Sequence, residues 1–216
     1  MVRWRILAIA LAGTATSACA INEDARIIGQ ALWQQLVSPG PEKLPFEQIA
    51  AIPYATMGLE LGSLPQTLLV LGAQTPLGLE WVGAGDVLVF TNKGRVLRTA
   101  GLPFDRGGLF PGPEAPDASE RNFLWDVPDL NAYSVPIRCS VAYAGSETIE
   151  ILGVNIATRR RVENCESELY DWEFEDNYWE DAETGFVWRS VQNIHPQLPP
   201  IALEVLRPAL SAPRNQ

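Results

Sequence analysis

The carboxylates Glu173, Glu175, Asp176, Glu180, Asp181 and Glu183 are interleaved with Trp172, Phe174, Tyr178, Trp179 and Trp188 in one stretch near the end of the chain. Two carboxylates flanking a cleft can hydrolyse a glycosidic bond when one is held protonated and the other ionised. Indole and phenol rings stack on sugar faces, so Trp172, Tyr178, Trp179 and Trp188 are candidate contacts for a glycan or a partner protein. The same spacing also describes a solvated strand face whose rings cover a sheet core. Both readings are open on the residues alone.

Other catalytic constellations are missing. His195 is the single histidine, it precedes Pro196, and its neighbours are loop residues, so it is expected at the surface. The chain has no HExxH, no CxxC, no Walker loop and no GxGxxG after a strand. No catalytic residue, metal ligand or cofactor is therefore assigned. Asp176, Asn177 and Asp181 do not follow an EF-hand spacing. Arg159-Arg160-Arg161 is a basic run in an acidic background, expected to pair with neighbouring carboxylates, with acidic polysaccharide as the other partner open to it.

The cysteines divide by position. Arg3 and Arg5, the apolar run Ile6 to Ala12 and the small residues Gly13 to Ala18 form an export signal of bacterial type over residues 1–18. Its apolar core is far shorter than the roughly 20 residues that span a bilayer, so removal is expected. Thr16-Ser17-Ala18-Cys19 resembles a lipobox, with Thr16 where Leu or Val is usual, while Ala18-Cys19-Ala20 also fits ordinary signal peptidase. Lipidation of Cys19 is the expectation, because it accounts for the odd cysteine. Palmitate-type chains add ~0.8 kcal/mol of membrane affinity per buried methylene, and several together hold firmly. Ala20 after Cys19 lacks the Asp that retains such proteins in the inner membrane, which directs the protein to the periplasmic face of the outer membrane. Cys139 and Cys165 remain as an even pair in an oxidising compartment, and a disulfide between them is expected.

The formal charge of −10 becomes more negative once Arg3 and Arg5 leave, and such a surface excludes nucleic acid as a partner. Residues 19–216 are enough for one domain with a full core.

Several elements would position these groups. Ala25 to Val37 has apolar residues at helical spacing, Ile28, Leu32 and Leu36, and is predicted as an amphipathic helix packed on a sheet. A short helical turn or strand around Phe46 to Ile52 ends at Pro53. Thereafter short alternating runs predict strands: 54–61, 67–71, 79–82, 86–91, 95–99, 123–127, 133–144, 147–152, 154–158, 160–165, 169–180, 186–192 and 201–206. A three-residue turn Asn92-Lys93-Gly94 joins two of them. Arg106 to Glu120, rich in Gly and Pro, reads as a long surface loop. The fold class expected is all-β dominated, a mostly antiparallel curved sheet or incomplete barrel carrying one N-terminal helix, with the hairpin 171–192 at its centre.

Three segments also resemble a known family: Ile52-Pro-Tyr-Ala-Thr-Met57, Gly94-Arg-Val-Leu-Arg-Thr-Ala-Gly-Leu102, and Asn177-Tyr-Trp179 with Thr184-Gly-Phe-Val-Trp-Arg-Ser-Val-Gln192. They are similar to the YjbF/GfcB lipoproteins of exopolysaccharide and group 4 capsule operons. The resemblance implies a β-rich periplasmic lipoprotein that serves polysaccharide production or export alongside proteins of the same operon, without supplying a catalytic motif. The expected role is a non-enzymatic accessory factor that touches an outer-membrane export component and possible polysaccharide. A glycosidase-like enzyme using the hairpin carboxylates is the alternative.

Overall fold

The computed structural model describes residues 43–209. The export signal, Cys19 and the helix expected over 25–37 lie outside the described residues. Those described form one antiparallel sheet of twelve strands: β1 (Thr56–Leu61), β2 (Thr67–Thr75), β3 (Gly78–Gly83), β4 (Leu88–Asn92), β5 (Arg95–Ala100), β6 (Gly108–Pro111), β7 (Glu120–Val127), β8 (Ala132–Ile151), β9 (Val154–Ser167), β10 (Trp172–Asp181), β11 (Val187–Gln192) and β12 (Ile201–Arg207). A five-residue helix, α1 (Phe46–Ala50), precedes them. Among the described residues no helix is long and apolar enough to cross a membrane.

The strand order is β5-β4-β3-β2-β1-β12-β11-β10-β9-β8-β7-β6. Each strand therefore pairs with its sequence neighbour, except that β1 joins β12 and fuses two meanders into one sheet. The outer strands β5 and β6 approach each other without pairing, so the sheet is a nearly closed barrel. The expected all-β, incomplete-barrel class holds, and the hairpin β10–β11 sits near the middle of the order.

Alternation explains the strands. In β8 Val135, Ile137 and Cys139 turn inward while Pro136, Arg138 and Ser140 turn out. Pro136 is tolerated because β9 begins to pair only at Arg138, leaving the proline's nitrogen on an open side. Two interior clusters result. Met57, Leu59, Leu69, Trp81, Val89, Val96, Ile201 and Leu203 fill one. Leu109, Trp125, Val127, Val135, Ile137 and the Cys139–Cys165 disulfide fill the other. The two cysteines face each other directly across β8 and β9.

Three expectations are corrected. Gly145 does not end a strand: Ala144 is left unpaired as a bulge beside Gly145, whose φ is 114°, and β8 runs on through it opposite an unbroken β9. The segment Arg106 to Glu120 is not loop throughout, since Gly108–Pro111 adds the edge strand β6, Leu109 enters the core and Arg106 is buried. An edge position accommodates Pro111, whose missing N–H needs no partner strand. The turn between β4 and β5 has two residues, Lys93 and Gly94, because Asn92 pairs with Arg95. Both have positive φ, as a primed hairpin turn requires, and a Cβ on Gly94 would lie 2.5 Å from Val187 of β11. Only glycine lets this turn rest on β11.

Candidate functional site

β9 and β10 carry charged residues on their inner face. With Cys165 fixed inward by the disulfide, a period of two also brings Glu163 and Arg161 inward, and on the paired strand Asp176, Tyr178 and Glu180. Three guanidinium groups converge on the fully buried Glu163. Arg95 and Arg161 hydrogen-bond to separate oxygens of it, and Arg121 Nη1 lies 3.6 Å from Oε1. Arg161 also donates from Nε to Glu180 Oε1 at 2.6 Å, and Arg159 lies 3.7 Å from the other Glu180 oxygen.

Tyr178 sits within this charge. Its ring is 4.0 Å from the Arg161 guanidinium carbon and 5.1 Å from that of Arg95, and Arg95 also covers Phe123 at 4.5 Å. Burial pushes the Tyr178 hydroxyl up to about 12, so it is a neutral donor, shared between Gln192 Oε1 at 3.2 Å and Asp176 Oδ2 at 3.4 Å. Burial also raises Asp176, against the opposing effect of the Asn193 N–H and of Arg106 and Arg95. Arg106 is lowered to about 10 by burial and still carries its charge at neutral pH, donating to the carbonyls of Val96 and Asn193 at 2.8 Å.

This network opens to solvent on one side. A cleft of about 860 Å³ lies where the barrel fails to close, between β4–β5 and β6–β7. Arg95, Arg161 and Glu180 reach it from the buried network, Lys93, Arg98 and Arg121 stand around it, and Phe90, Phe110 and Phe123 supply rings. Phe110 is half exposed.

The sequence-derived candidates separate accordingly. Tyr178 is 0 % exposed, so a contact role for it is corrected: its ring serves the buried arginines. Trp172 packs on Trp125 and Phe174 beside the second cluster. Trp179 remains on the outer face, its indole donating to Glu147 at 2.6 Å, and Trp188 is partly buried against the first cluster. The carboxylates also divide, with Glu173, Glu175 and Glu183 exposed and Asp176 and Glu180 buried. Asp181 caps its own turn: hydrogen bonds, first from the Thr184 N–H at 2.8 Å, hold its carboxyl below the ordinary range.

His195 is buried rather than superficial, stacked on Phe104 at 4.8 Å. Its Nδ1 accepts from the Gln197 N–H at 3.1 Å, which leaves the proton on Nε2, 3.1 Å from Asp129 Oδ2. A separate polar group, also absent from the sequence reading, joins β1 to β12. Lys43 Nζ lies 2.7 Å from oxygens of both Glu60 and Glu204, and Gln66 Nε2 donates to the same two side chains.

The sequence and the fold both have relatives among known proteins. A family model described as "Group 4 capsule polysaccharide lipoprotein gfcB, YjbF" matches residues 29–107 and 111–206, most of the chain. The chain belongs to the YjbF family. A relative described as the uncharacterized lipoprotein GfcB of Escherichia coli K12 is 28% identical over 173 residues, covering 76% of this chain and 80% of that one. The crystal structure of the hypothetical lipoprotein YmcC, also from Escherichia coli K12, superposes with a TM-score of 0.66 at 25% identity, covering 91% of this chain and 100% of that one. In this YjbF-family chain two of the three segments that carried the resemblance reach the cleft: Gly94 to Leu102 through Arg95, Leu97 and Arg98 of β5, and Thr184 to Gln192 through Gly185 and Val187.

Proposed function

We propose that this YjbF-family protein is a lipoprotein, anchored through acyl chains on Cys19 at the periplasmic face of the outer membrane. There it acts without catalysis as an accessory factor in production or export of an extracellular polysaccharide. The observation that carries the reading is the family match over residues 29–107 and 111–206, together with the signal and lipobox pattern of residues 1–19. The geometry supports a contact role. Glu180 is bound to Arg161, Asp176 to Asn193, and Asp181 to its own turn. These hairpin carboxylates are committed to structural partners. A polysaccharide-export component of the same operon is the partner we propose.

The test pairs anchor with chemistry. The mature protein should incorporate labelled palmitate and fractionate with outer membrane, and Cys19→Ala should release it to the periplasm. Wild-type protein incubated with the organism's purified polysaccharide should release no reducing ends. Unchanged fractionation of Cys19→Ala would refute the anchor. Reducing ends that disappear on Glu180→Gln would refute the non-catalytic role.

A further inference from the structure

The cleft at the open seam of the barrel holds more positive charge than its own carboxylates neutralise. Three guanidinium groups that line it, Arg95, Arg121 and Arg161, share two carboxylates, Glu163 and Glu180. Lys93 and Arg98 at the rim add to the excess, against Glu80. The chain as a whole has a formal charge of −10, so this excess is local and opposes the background. Buried Arg95 and Arg161 are matched by buried Glu163 and Glu180, so the excess sits on the exposed Arg121, Lys93 and Arg98, whose charge attracts an anion to the cleft. Among the described residues the Arg95 guanidinium makes a single hydrogen bond, from Nη2 to Glu163, although the residue is 9 % exposed and held between the rings of Phe123 and Tyr178. It is a fixed guanidinium with donors to spare, the arrangement that suits a carboxylate.

We propose that this cleft binds a segment of carboxylated polysaccharide, with Arg95, Arg121 and Arg161 taking the acid group and Phe110 offering a ring face to a sugar. The volume of about 860 Å³ falls in the range of roughly 300–1,000 Å³ common to ligand sites. An extended acidic peptide fits less well, because the edge of β5 is already occupied. The Val96 N–H is bonded to Gln192, its carbonyl to Arg106, and the Thr99 N–H to the Arg106 carbonyl. On the facing edge Pro111 has no N–H to offer. Strand addition is thus blocked along β5 and interrupted at Pro111 on the facing wall, and recognition falls to side chains. The choice of a saccharide rests on the function proposed above, whereas the preference for an anion rests on the cleft alone.

Full-length lipoprotein in detergent, titrated calorimetrically with oligogalacturonate, a neutral malto-oligosaccharide and an oligoglutamate peptide, tests this. Oligogalacturonate should bind, and less tightly as salt is added; the oligoglutamate should bind more weakly than it, and the neutral sugar should not bind. Arg121→Gln, a half-exposed change, should weaken binding about tenfold, and Arg98→Gln and Phe110→Ala should each weaken it less, with circular dichroism unchanged. Binding of the neutral sugar equal to the acidic one, unaltered binding in Arg121→Gln, tighter binding of oligoglutamate, or no binding at all would each overturn the proposal. Oligogalacturonate binding in a protein whose gene deletion leaves polysaccharide unchanged would instead strike at the proposed function and leave the anion site standing.

Discussion

Gln192 Nε2 donates to the Gly94 carbonyl at 2.8 Å, tying β11 to the β4–β5 turn although these strands are not neighbours in the sheet. The same amide donates to Ser190 Oγ at 2.8 Å and accepts from the Val96 N–H at 2.9 Å and the Tyr178 hydroxyl at 3.2 Å. All four of its hydrogen-bonding positions are used inside the barrel.

Gln192→Leu keeps the volume but strands the Val96 N–H and leaves the Gly94 carbonyl only the longer bond from Ser190 Oγ at 3.4 Å. Each unpaired buried group costs about 1–3 kcal/mol, so urea denaturation should show a stability loss of about 3 kcal/mol. A loss below about 1 kcal/mol would mean the amide is not a principal tie between β11 and the turn.

Glu163 neutralises arginines that reach it from β5, β7 and its own strand. Glu163→Gln leaves Arg95 and Arg161 buried with too little counter-charge and should cost about 3–5 kcal/mol. Arg121→Gln, at 44% side-chain exposure, should cost less than about 1 kcal/mol. Equal losses in the two variants by chemical denaturation would contradict the assignment of Glu163 as the hub.

These polar positions show where the sequence was readable. Strand existence followed from alternation, and pairing of sequence neighbours made the meanders easy to infer. The β1–β12 junction carries no local mark, because Glu60, Glu204, Gln66 and Lys43 are brought together from opposite ends of the described chain. The pairing of Arg159-Arg160-Arg161 with carboxylates is as expected, but the burial of Arg161 and Glu163 rests on their sharing parity with Cys165, which a buried disulfide sets inward. Asp176 and Glu180 face inward by the same rule, and their burial is stabilised by partners far along the chain, which a local reading of acidity cannot supply.

His195 gives the barrel a pH dependence of definite sign. Burial lowers its pKa below the ordinary 6.5, outweighing the nearby Asp129 carboxylate, so the folded chain takes up this proton less readily than the unfolded one. Its contribution is fully present above about pH 6.5 and is lost as pH falls through the folded value. The urea midpoint of the wild type should decline as pH falls below about 6.5, and that of His195→Phe, which retains a ring against Phe104, should decline less. Identical slopes would remove His195 from the explanation.

Extracellular polysaccharide, quantified in a strain lacking this gene and complemented in turn with wild-type and Cys19→Ala protein, tests the central claim most directly. The proposed role predicts a fall on deletion, recovery with the wild type and little recovery with Cys19→Ala. Polysaccharide of unchanged amount and chain length in the deletion strain would contradict it.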